Sequence, residues 1–320
     1  MVLSSVLEGV ESIFDGAFLD CRLLKSFKSI GDKAFAYCEG LESIAIPDSI
    51  ETIGNGTFAE CEFSSIKIPK SVISFGGNPF HQCKRLKEVE VSENPNFVFV
   101  EGVLFNKEMI QIFYCDPSKS GDYSIPDTMT DIGSRAFSRC DRLNSITIPD
   151  SVTEIPKHAF QDCSYLESVK IPRSVTSIGD LEFCMCDLKS LTIPDSVTSI
   201  VIGTFSNCWD LTTIDLTELV LSIENNTFTK CTRLISVAIP DSVTFIGEGA
   251  FQCCEALRSI TIPDSVAFIG VDAFFGCDSL LEIVLPSSIS TIQMGTFKFC
   301  RVLTSVVFLD SIVSIKRQSI

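Results

Sequence analysis

The sequence predicts an α/β repeat fold, a solenoid in which short strands alternate with short outer turns. Three observations support this fold class. A phenylalanine recurs every 22 or 23 residues from Phe137 to Phe297, a cysteine follows each of these phenylalanines three positions later, and Ile-Pro-Asp-Ser or a variant recurs in most intervals. A fixed period of this length indicates stacked units that contact only their neighbours. About twelve repeats of 22–23 residues fit the chain, and their phenylalanines are Phe18, Phe35, Phe58, Phe80, Phe137, Phe160, Phe183, Phe205, Phe228, Phe251, Phe274 and Phe297.

Each repeat is predicted to begin with a short strand. The best copies, residues 143–163 and 257–277, share the frame L-x-x-I-x-I-P-x-S-V-x-x-I-G-x-x-A-F-x-x-C. Alternate residues are apolar near the end of L-x-x-I-x-I, so Ile146 and Ile148 are predicted to point inward. Proline cannot donate to a strand ladder and therefore ends the strand, and Pro-Asp-Ser is typical of a turn.

The second half of the repeat is predicted to return the chain along the outside. The V-x-x-I pair faces the core again, and the glycine that follows it, as at Gly133, Gly179, Gly247 and Gly270, predicts a turn with positive φ. The i to i+3 spacing in A-F-x-x-C predicts a short helical turn on the outer side. Stacking then aligns the phenylalanines in a spine, and the strands form a parallel ribbon on the concave face of a horseshoe-like arc.

One interval breaks the period. Phe80 and Phe137 are separated by one repeat plus 34 residues. Within this interval, two β-rich apolar runs flank Asn106-Lys107 and predict a β-hairpin. The sequence therefore predicts N-terminal repeats over 1–91, a β-hairpin insertion over 92–125, and C-terminal repeats of the same solenoid over 126–320, the last of them incomplete.

Charge and composition narrow the classes of function. The net charge of −16 argues against nucleic acid and anionic membranes as partners, and no apolar run reaches the ~18 residues of a membrane span. The N-terminus has neither the basic nor the apolar region of a signal peptide, which favours a protein inside the cell or a piece of a longer, secreted one. Solenoids ordinarily have polar end caps, so the abrupt ends indicate either a fragment of a longer chain or end-to-end self-association.

Twelve of the fifteen cysteines fall in the repeat column. Neighbours in a stacked column come close to disulfide geometry, whereas reduced, buried cysteine behaves as a small apolar residue; the odd total favours reduced thiols. Cys184-Met-Cys186 and Cys253-Cys254 each add one cysteine, which is predicted to be an exposed thiol rather than a zinc ligand. Cys115, in the insertion, is the strongest candidate for a reactive thiol.

The sequence contains no motif of catalysis or cofactor binding. P-loop, dinucleotide-binding and nucleophile-elbow patterns are absent. His81 beside Cys83, and His158 in an outer turn, are too few for a metal site or a catalytic triad, both of which need converging groups. The sequons Asn55-Gly-Thr57 and Asn225-Asn-Thr227 place threonine in the Ala position before the repeat phenylalanine, which favours a structural role over glycosylation. We therefore expect no enzyme, no metal and no cofactor.

The candidate binding surface consists of the residues that flank the inward side chains of each strand. One flanking column is nearly all serine, and the other is more varied and carries charges that would bias the choice of partner. Short polar side chains suit a flat ribbon, or they form a low polar floor on which a protein strand or glycan could lie. The candidate partner-binding residues of the concave face are Lys67, Glu90, Ser145, Thr147, Ser168, Lys170, Ser190, Thr192 and Asp215.

The frame I-P-D-S-V-T-S-I-G-x-x-x-F-x-x-C resembles the BspA-like, Treponema-pallidum-type leucine-rich repeat. Residues 174–186 and 262–277 are clear copies, and residues 101–107, followed by Tyr123-Ser-Ile-Pro126, resemble an element that recurs in that family. The resemblance covers about residues 10–315. It implies a leucine-rich-repeat solenoid without catalytic residues. Some members are surface-exposed or secreted and are implicated in adhesion to host matrix proteins and cells.

Two hypotheses of function follow. The first is a non-enzymatic protein-binding scaffold, which the resemblance specifies as a cell-surface or secreted adhesin that binds host or matrix proteins. The second is an intracellular leucine-rich-repeat interaction or assembly protein with buried free thiols, which the missing leader and the odd cysteine count favour. Under both hypotheses the partner is a protein, and neither nucleic acid nor membrane insertion is expected.

Overall fold

The computed structural model describes residues 28–38, 40–308 and 312–319. Phe18 and Cys21, the first members of the two predicted columns, lie outside the described residues. The chain divides into two compact units. The described part of unit 1 comprises residues 28–119 without 39, and 128–140, and that of unit 2 comprises residues 120–127 and 141–319 without 309–311.

All regular elements in these described ranges are short β-strands. Several strands of the predicted frame end one residue before Ile-Pro, because proline has no amide proton with which to extend the ladder. In chain order the strands are β1 (Ser29–Ile30), β2 (Thr52–Ile53), β3 (Ser65–Lys67), β4 (Ser74–Phe75), β5 (Glu88–Glu90), β6 (Phe97–Val100), β7 (Val103–Asn106), β8 (Gln111–Cys115), β9 (Ser120–Ser124), β10 (Asp131–Ile132), β11 (Arg142–Thr147), β12 (Glu154–Ile155), β13 (Ser168–Lys170), β14 (Ser177–Ile178), β15 (Ser190–Thr192), β16 (Thr213–Asp215), β17 (Ser222–Ile223), β18 (Phe245–Ile246), β19 (Phe268–Ile269), β20 (Glu282–Leu285), β21 (Thr291–Ile292), β22 (Ser305–Phe308) and β23 (Ser314–Ile315).

The repeats of each unit form two sets of parallel ladders. The first set comes from the predicted strand segment and contains β3–β5 in unit 1, and β9–β11–β13, β15–β16 and β20–β22 in unit 2. The second set comes from the V-x-x-I segment and contains β1–β2–β4 in unit 1, and β12–β14, β17–β18–β19 and β21–β23 in unit 2. In unit 1, β10 of this segment pairs in parallel with β8 of the insertion. Each unit is therefore built as a parallel β-solenoid, as predicted, and the second ladder is an additional feature that the repeat frame did not predict.

The interval between Phe80 and Phe137 contains an antiparallel sheet in unit 1. β7 pairs with β8 across the hairpin predicted at Asn106-Lys107, and a further strand, β6, pairs with β7. Asn106 closes the turn, because its Oδ1 accepts hydrogen bonds from the amides of Ile110 and Gln111 at 2.9 Å each. β9 lies within the predicted insertion but belongs to a parallel ladder of unit 2. The domain bounds 1–91, 92–125 and 126–320 stay a prediction.

The repeat phenylalanines form the centre of each unit. In unit 1 the ring centroids of Phe35 and Phe58 are 5.7 Å apart, and those of Phe58 and Phe80 are 6.0 Å apart. In unit 2 the repeat rings from Phe160 to Phe297 stack at 5.3–5.8 Å, with planes within 16° of parallel. All these side chains are buried, which confirms the predicted spine within each unit.

The outer segment is not helical, so the predicted helical turns are wrong. Residues 28–38, 40–308 and 312–319 contain no helix. Two residues per repeat adopt positive φ four positions apart, as Arg135 at 61° and Arg139 at 62° do. A left-handed residue ends an α-helical path after one turn. The i to i+3 spacing of A-F-x-x-C instead reflects a tight turn, closed by a bond from the Cys140 amide to the Phe137 carbonyl at 3.0 Å.

The glycines after V-x-x-I have a different role from the predicted one. Gly133, Gly179, Gly247 and Gly270 do not have positive φ. A Cβ on Gly179 would lie 2.3 Å from the Lys157 amide nitrogen, and a Cβ on each of the other three would lie 2.5–2.6 Å from an atom of a neighbouring segment, which for Gly133 is the Ile112 carbonyl oxygen of β8. These positions take glycine because neighbouring turns approach too closely for a side chain. The positive φ falls two residues later.

Hydrogen bonds between successive outer turns join the repeats. In most repeats the phenylalanine amide donates to the backbone carbonyl of the next Ala position, as Phe183 does to Thr204 at 2.9 Å. Glu182 departs from this pattern, because its carboxylate accepts from the amides of Ala159 at 3.0 Å and Phe160 at 3.1 Å. The side chain is fully buried. Burial raises the pKa of the Glu182 carboxyl well above its usual range, and the two amide bonds offset only part of this effect.

Candidate functional site

The surface predicted for partner binding is formed by the residues on either side of the buried middle residue in the first ladder set, which we call the strand face. In β3, β5, β13, β15 and β16 the first and third residues are exposed, because the strand pleat alternates side chains. All nine predicted residues occupy such flanking positions, although Ser145 and Thr147 are half-buried. Lys67 and Glu90 belong to unit 1, and the other seven belong to unit 2.

In unit 1, Lys67 is part of an ion-pair cluster. Its Nζ lies 2.9 Å from Glu90 Oε1 and 3.6 Å from Glu93 Oε1. The hydrogen bond to Glu90, together with the negative charges of Glu90 and Glu93, raises the pKa of Lys67. Glu88, the register partner of Ser65, adds a third carboxylate. This part of the strand face therefore carries a net negative charge despite its lysine.

In unit 2, the β9–β11–β13 part of the strand face carries short polar side chains. Ser145 opposes Ser168, and Thr147 opposes Lys170, across β11 and β13. The Ser145 hydroxyl donates to Asp122 Oδ1 at 2.6 Å. Hydroxyl groups of this kind can exchange hydrogen bonds with a peptide backbone laid across the strands, because each hydroxyl both donates and accepts.

A second part of the strand face in unit 2 lies on β15 and β16. Ser190 opposes Thr213, and Thr192 opposes Asp215. Asp215 is exposed and places one negative charge beside these hydroxyl groups. The structure thus groups the predicted residues of unit 2 into one set around Lys170 and one around Asp215.

Three acidic residues lie near the predicted site but are not among its nine candidates. Glu88 lies in the serine column, Glu93 lies in the turn after β5, and Asp122 lies in β9. The signal that could have revealed Asp122 is its separation of 23 residues, one repeat, from Ser145. The sequence analysis placed residues 92–125 in the insertion, whereas β9, which carries Asp122, pairs with a repeat strand.

The column cysteines are buried hydrogen-bond donors. Cys208 Sγ donates to the Phe183 carbonyl at 3.0 Å, and Cys231 Sγ donates to the Phe205 carbonyl at 3.1 Å. The same bond, to the phenylalanine of an earlier repeat, recurs along both units. The predicted burial is confirmed for the described column cysteines except Cys300, which is half-buried, and the thiol also satisfies a backbone carbonyl. Burial raises the pKa of Cys83 to about 12, which disfavours the reactive thiolate.

The cysteines outside the column differ from expectation. Cys115 and Cys184 are 1% and 5% exposed, so the predictions of a reactive thiol at Cys115 and an exposed thiol at Cys184 are wrong. Burial also raises the pKa of Cys184. Cys253 is half-exposed. Cys115 is the last residue of β8 and is paired with Val103 of β7 in the inserted sheet; the predicted β-hairpin alone does not tell which of its side chains are buried.

The two histidines and the two sequons are the remaining candidates from the sequence. In the described ranges, no group of three or more His, Cys, Asp or Glu side chains is arranged to hold a metal ion, and His81 and His158 are half-buried. Thr57 and Thr227 are fully buried, and each donates to a carbonyl three residues earlier at 2.8 Å, which supports the structural interpretation of the two sequons. Within the part of the chain that the structure describes, no helix has the length and apolarity to cross a bilayer.

Comparisons with known proteins agree with this geometry. The sequence pattern described as "BspA type Leucine rich repeat region" matches in six copies, over residues 11–118, 114–212 and 198–320. A leucine-rich repeat protein from Bacteroides ovatus has a similar structure, with a TM-score of 0.55 and 28% identity over 91% of this chain and 67% of that one. A leucine-rich repeat protein from Eubacterium ventriosum has a TM-score of 0.53 and 24% identity over 92% of this chain and 74% of its own. No curated protein sequence matches the chain.

The match covers nearly the whole sequence, and its repeat is the one that the structure builds from two parallel ladders, a phenylalanine spine and a cysteine column. The resemblance seen in the sequence is therefore confirmed, and the chain belongs to the BspA-type leucine-rich repeat family.

Proposed function

We propose that this chain is a non-enzymatic scaffold that binds another protein through its strand face. The observation that carries the proposal is the regular alternation along the first ladder, which buries one residue and exposes its two neighbours in strand after strand. Solenoid repeats offer extended surfaces of this kind for recognition. The serine and threonine side chains of this face are short, so an extended segment of a partner could approach the strands closely.

The charges of the strand face would select the partner. The cluster around Lys67 in unit 1 carries more carboxylates than ammonium groups, whereas Lys170 in unit 2 lies among hydroxyl groups. Complementary charge affects specificity and association rate more than raw affinity. We therefore expect these charged residues to matter more for the choice of partner than the serine column does.

Adhesion to a surface or matrix protein of a host is the specific form of this function, and it rests on family membership alone. The second candidate is an intracellular assembly protein. It is favoured by the column thiols, whose Sγ–H groups donate to buried carbonyls and would lose these bonds on forming disulfides. A count of free thiols in denaturant, on protein from its native source purified without reductant, distinguishes the two: all thiols free favours the assembly protein, and paired thiols favour the adhesin.

A binding screen against immobilised matrix proteins, glycans and a lysate tests the strand face itself. Lys67→Glu with Glu90→Lys inverts the ion pair of unit 1 but preserves it, and Lys170→Glu with Asp215→Lys inverts the charges of unit 2. The matched control inverts an ion pair outside the nine predicted positions, Asp210 with Arg233, whose atoms are 2.8 Å apart. Saturable protein binding that either strand-face variant loses and the control keeps would support the proposal. Binding that survives both variants would contradict it.

End-to-end self-association is a further proposal. Around β22 and β23 in unit 2, the side chains of Val307, Val313 and Ile315 are 41%, 87% and 55% exposed. Apolar side chains exposed next to a ladder can pair with another chain. Light scattering across a concentration series should show an oligomer that Val313→Ser weakens; a monomer at every concentration would contradict this proposal.

A further inference from the structure

In unit 2, the ladder β17–β18–β19 and the turn before β17 carry four large apolar side chains that we call the apolar patch: Leu219, Leu221, Phe245 and Phe268. Phe245 is half-buried and the other three are exposed. Phe245 and Phe268 are register partners, and their rings stack at 5.3 Å with planes 5° apart. Phe268 is 40% exposed, Leu219 50% and Leu221 58%. The patch belongs to the second ladder set, so it is distinct from the strand face.

The repeat itself does not require apolar residues at the two phenylalanine positions. The corresponding residues of other repeats in unit 2 are polar, namely Glu154, Ser177, Ser199, Ser222, Thr291 and Ser314. The strands at these polar positions form the same ladder geometry. Two adjacent aromatic residues, one exposed and one half-buried, in an otherwise polar column are therefore not needed for folding. Apolar clusters at the surface mark interaction sites.

Leu219 also departs from the frame. In neighbouring repeats a serine at this position donates to a valine carbonyl of the preceding repeat, as Ser242 does to Val220 at 2.6 Å and Ser265 does to Val243 at 2.7 Å. Leu219 has no hydroxyl and lacks this bond. Its turn also lacks proline and is closed instead by Thr217, whose Oγ1 accepts from the Leu219 amide at 3.0 Å. The local sequence thus forgoes a stabilising bond and exposes an apolar side chain.

The surroundings of the patch are acidic. The turn before each of the three strands carries an exposed carboxylate at the residue after proline or its substitute, namely Glu218, Asp241 and Asp264. Asp195 has the same position before Ile200, which forms an isolated bridge to Ile223 of β17, and it completes the acidic row Asp195, Glu218, Asp241 and Asp264. Between Lys189 and Lys298 the only basic residues are Lys230, Arg233 and Arg258. None of them lies in segments 217–223, 240–246 or 263–269, which carry most of the row and the whole patch. Arg233, moreover, is paired with Asp210 at 2.8 Å.

We propose that the apolar patch and the acidic row together form a docking surface for a cationic, arginine-bearing segment of a partner protein. Charge complementarity attracts the segment to the row, and a guanidinium group can stack on an aromatic ring while its aliphatic stem covers apolar surface. A second copy of this chain is a poor occupant of this surface, because the acidic row favours a cationic segment and the chain has 41 acidic against 25 basic residues. The self-association proposed above would use the apolar side chains around β22 and β23 instead. This surface goes beyond the proposed function, since it needs no residue of the strand face.

The test measures fluorescence anisotropy of labelled nona-arginine and nona-lysine titrated with the full chain at physiological salt. We expect nona-arginine to bind more tightly, because only the planar guanidinium stacks well. Phe245→Ser with Phe268→Ser installs the residue of neighbouring repeats and should weaken nona-arginine binding roughly five- to thirtyfold, as expected for the loss of two ring contacts. The arginine preference should disappear with it. Thermal melts confirm that each variant is folded.

Two further variants separate the contributions. Tyr165→Ser removes an aromatic side chain that is 64% exposed elsewhere in unit 2, and it should change affinity less than about twofold. Glu218→Gln with Asp241→Asn and Asp264→Asn should weaken both peptides and reduce the salt dependence. Equal binding of the two peptides, an unchanged affinity in the double phenylalanine variant, or no binding at all would overturn the proposal. So would binding of a neutral glycan that requires both phenylalanines while the peptides do not.

Discussion

The regular repeats of unit 2 and the inserted sheet of unit 1 pack their aromatic side chains in different ways. In unit 2 each repeat places one ring at the same position, so the rings from Phe160 to Phe297 lie within 16° of parallel. In the insertion the ring of Phe97 meets Phe75 at 4.5 Å and 48°, and meets Phe113 at 81°. The parallel stacking in unit 2 follows from the regular spacing of the repeat backbone, whereas the angled packing in the insertion depends on the shapes of the side chains.

This difference indicates how each region should respond to change. A repeat residue has the same contacts above and below it, so a substitution removes two equivalent interactions and affects both neighbours. An insertion residue sits in a local cluster with rings at several angles, which has more ways to repack. The following predictions test this comparison, from the largest expected effect to the smallest.

Phe228→Ala should reduce the free energy of unfolding by about 3–5 kcal/mol, because it opens a cavity in the spine. Phe228 stacks between Phe205 at 5.5 Å and Phe251 at 5.3 Å. Urea unfolding followed by the fluorescence of Trp209, the single tryptophan, reports on unit 2. Phe228→Leu should also cost more than Phe97→Leu in the insertion. A loss below about 1 kcal/mol for Phe228→Ala would sink the spine model.

Gly179→Ala should destabilise the protein by about 1–3 kcal/mol through overpacking, because the new Cβ would lie 2.3 Å from the Lys157 amide nitrogen. Gly102→Ala in the insertion acts through φ instead, which is +81° there, and should cost about 1–2 kcal/mol. The two mechanisms separate when asparagine, which tolerates positive φ, replaces glycine: Gly102→Asn should recover stability relative to Gly102→Ala, and Gly179→Asn should not. Recovery at both sites would refute the steric explanation.

Glu182→Gln should remove a pH dependence that the wild type has. The pKa of Glu182 is raised in the folded state, so the folded chain holds a proton that the unfolded chain releases above about pH 4.3. Stability therefore falls as pH rises from that value toward the folded pKa, by at most about 1.4 kcal/mol per pH unit. Urea melts of both proteins at pH 5 and pH 8 give the comparison. A wild-type-minus-variant difference that does not change with pH would contradict the prediction.

Cys231→Ser should destabilise the protein less than Cys231→Ala does, by roughly 0.5–1 kcal/mol. Serine keeps a donor for the Phe205 carbonyl, to which Cys231 Sγ donates at 3.1 Å, whereas alanine leaves that buried carbonyl without it. The order should reverse at Cys115 in the insertion, where Sγ lies 3.7 Å from the Asp116 carbonyl oxygen and the bond is weak. If alanine is the better replacement at both sites, the thiol acts only as an apolar group.

Tyr114→Phe should raise the free energy of unfolding slightly, by up to about 1 kcal/mol, because it removes a buried polar atom. Tyr114 on β8 packs edge-on against the spine residue Phe80 at 5.5 Å, and its hydroxyl has no hydrogen-bond partner in the described structure. Chemical melts of the two proteins measure the difference. A clear loss of stability in the variant would mean that the hydroxyl is bonded, for example to a water molecule.

The spine and the strand face follow from the sequence, because burial repeats with a period that one sequence displays. Phe183 and the alternation around Val169 are examples. The outer turns do not follow, since a left-handed conformation is compatible with Arg135 or His158 when the neighbouring turns impose it, and no residue type then reveals it. Gly179 is a second example. A glycine at this position suggests a turn with positive φ, but glycine is required there because the segment around Lys157, one repeat earlier, approaches too closely for a side chain.

The candidate site can be predicted only in part from the sequence, because contacts with neighbouring segments also determine its structure. The positions of Lys67 and Lys170 follow from the frame, but their pairing depends on what lies one repeat away. Glu93 reaches Lys67 from a turn. The apolar patch could not be recognised from the sequence, because phenylalanine in place of the usual polar residue at positions 245 and 268 suggests a core residue. The structure shows instead that the two rings stack on each other at the surface of the ladder.

The bond from each column cysteine to the phenylalanine carbonyl of an earlier repeat also affects how such a chain can change in length. Donor and acceptor are supplied in the same form by every full repeat. A duplicated block of 23 codons, inserted in frame, would therefore encode both the thiol donor and the carbonyl acceptor that join it to the repeats on either side. The fold fixes the length of one repeat but not the number of repeats. Recombination within the gene could therefore lengthen or shorten the array by whole repeats, and the contacts between neighbouring repeats would stay the same in type.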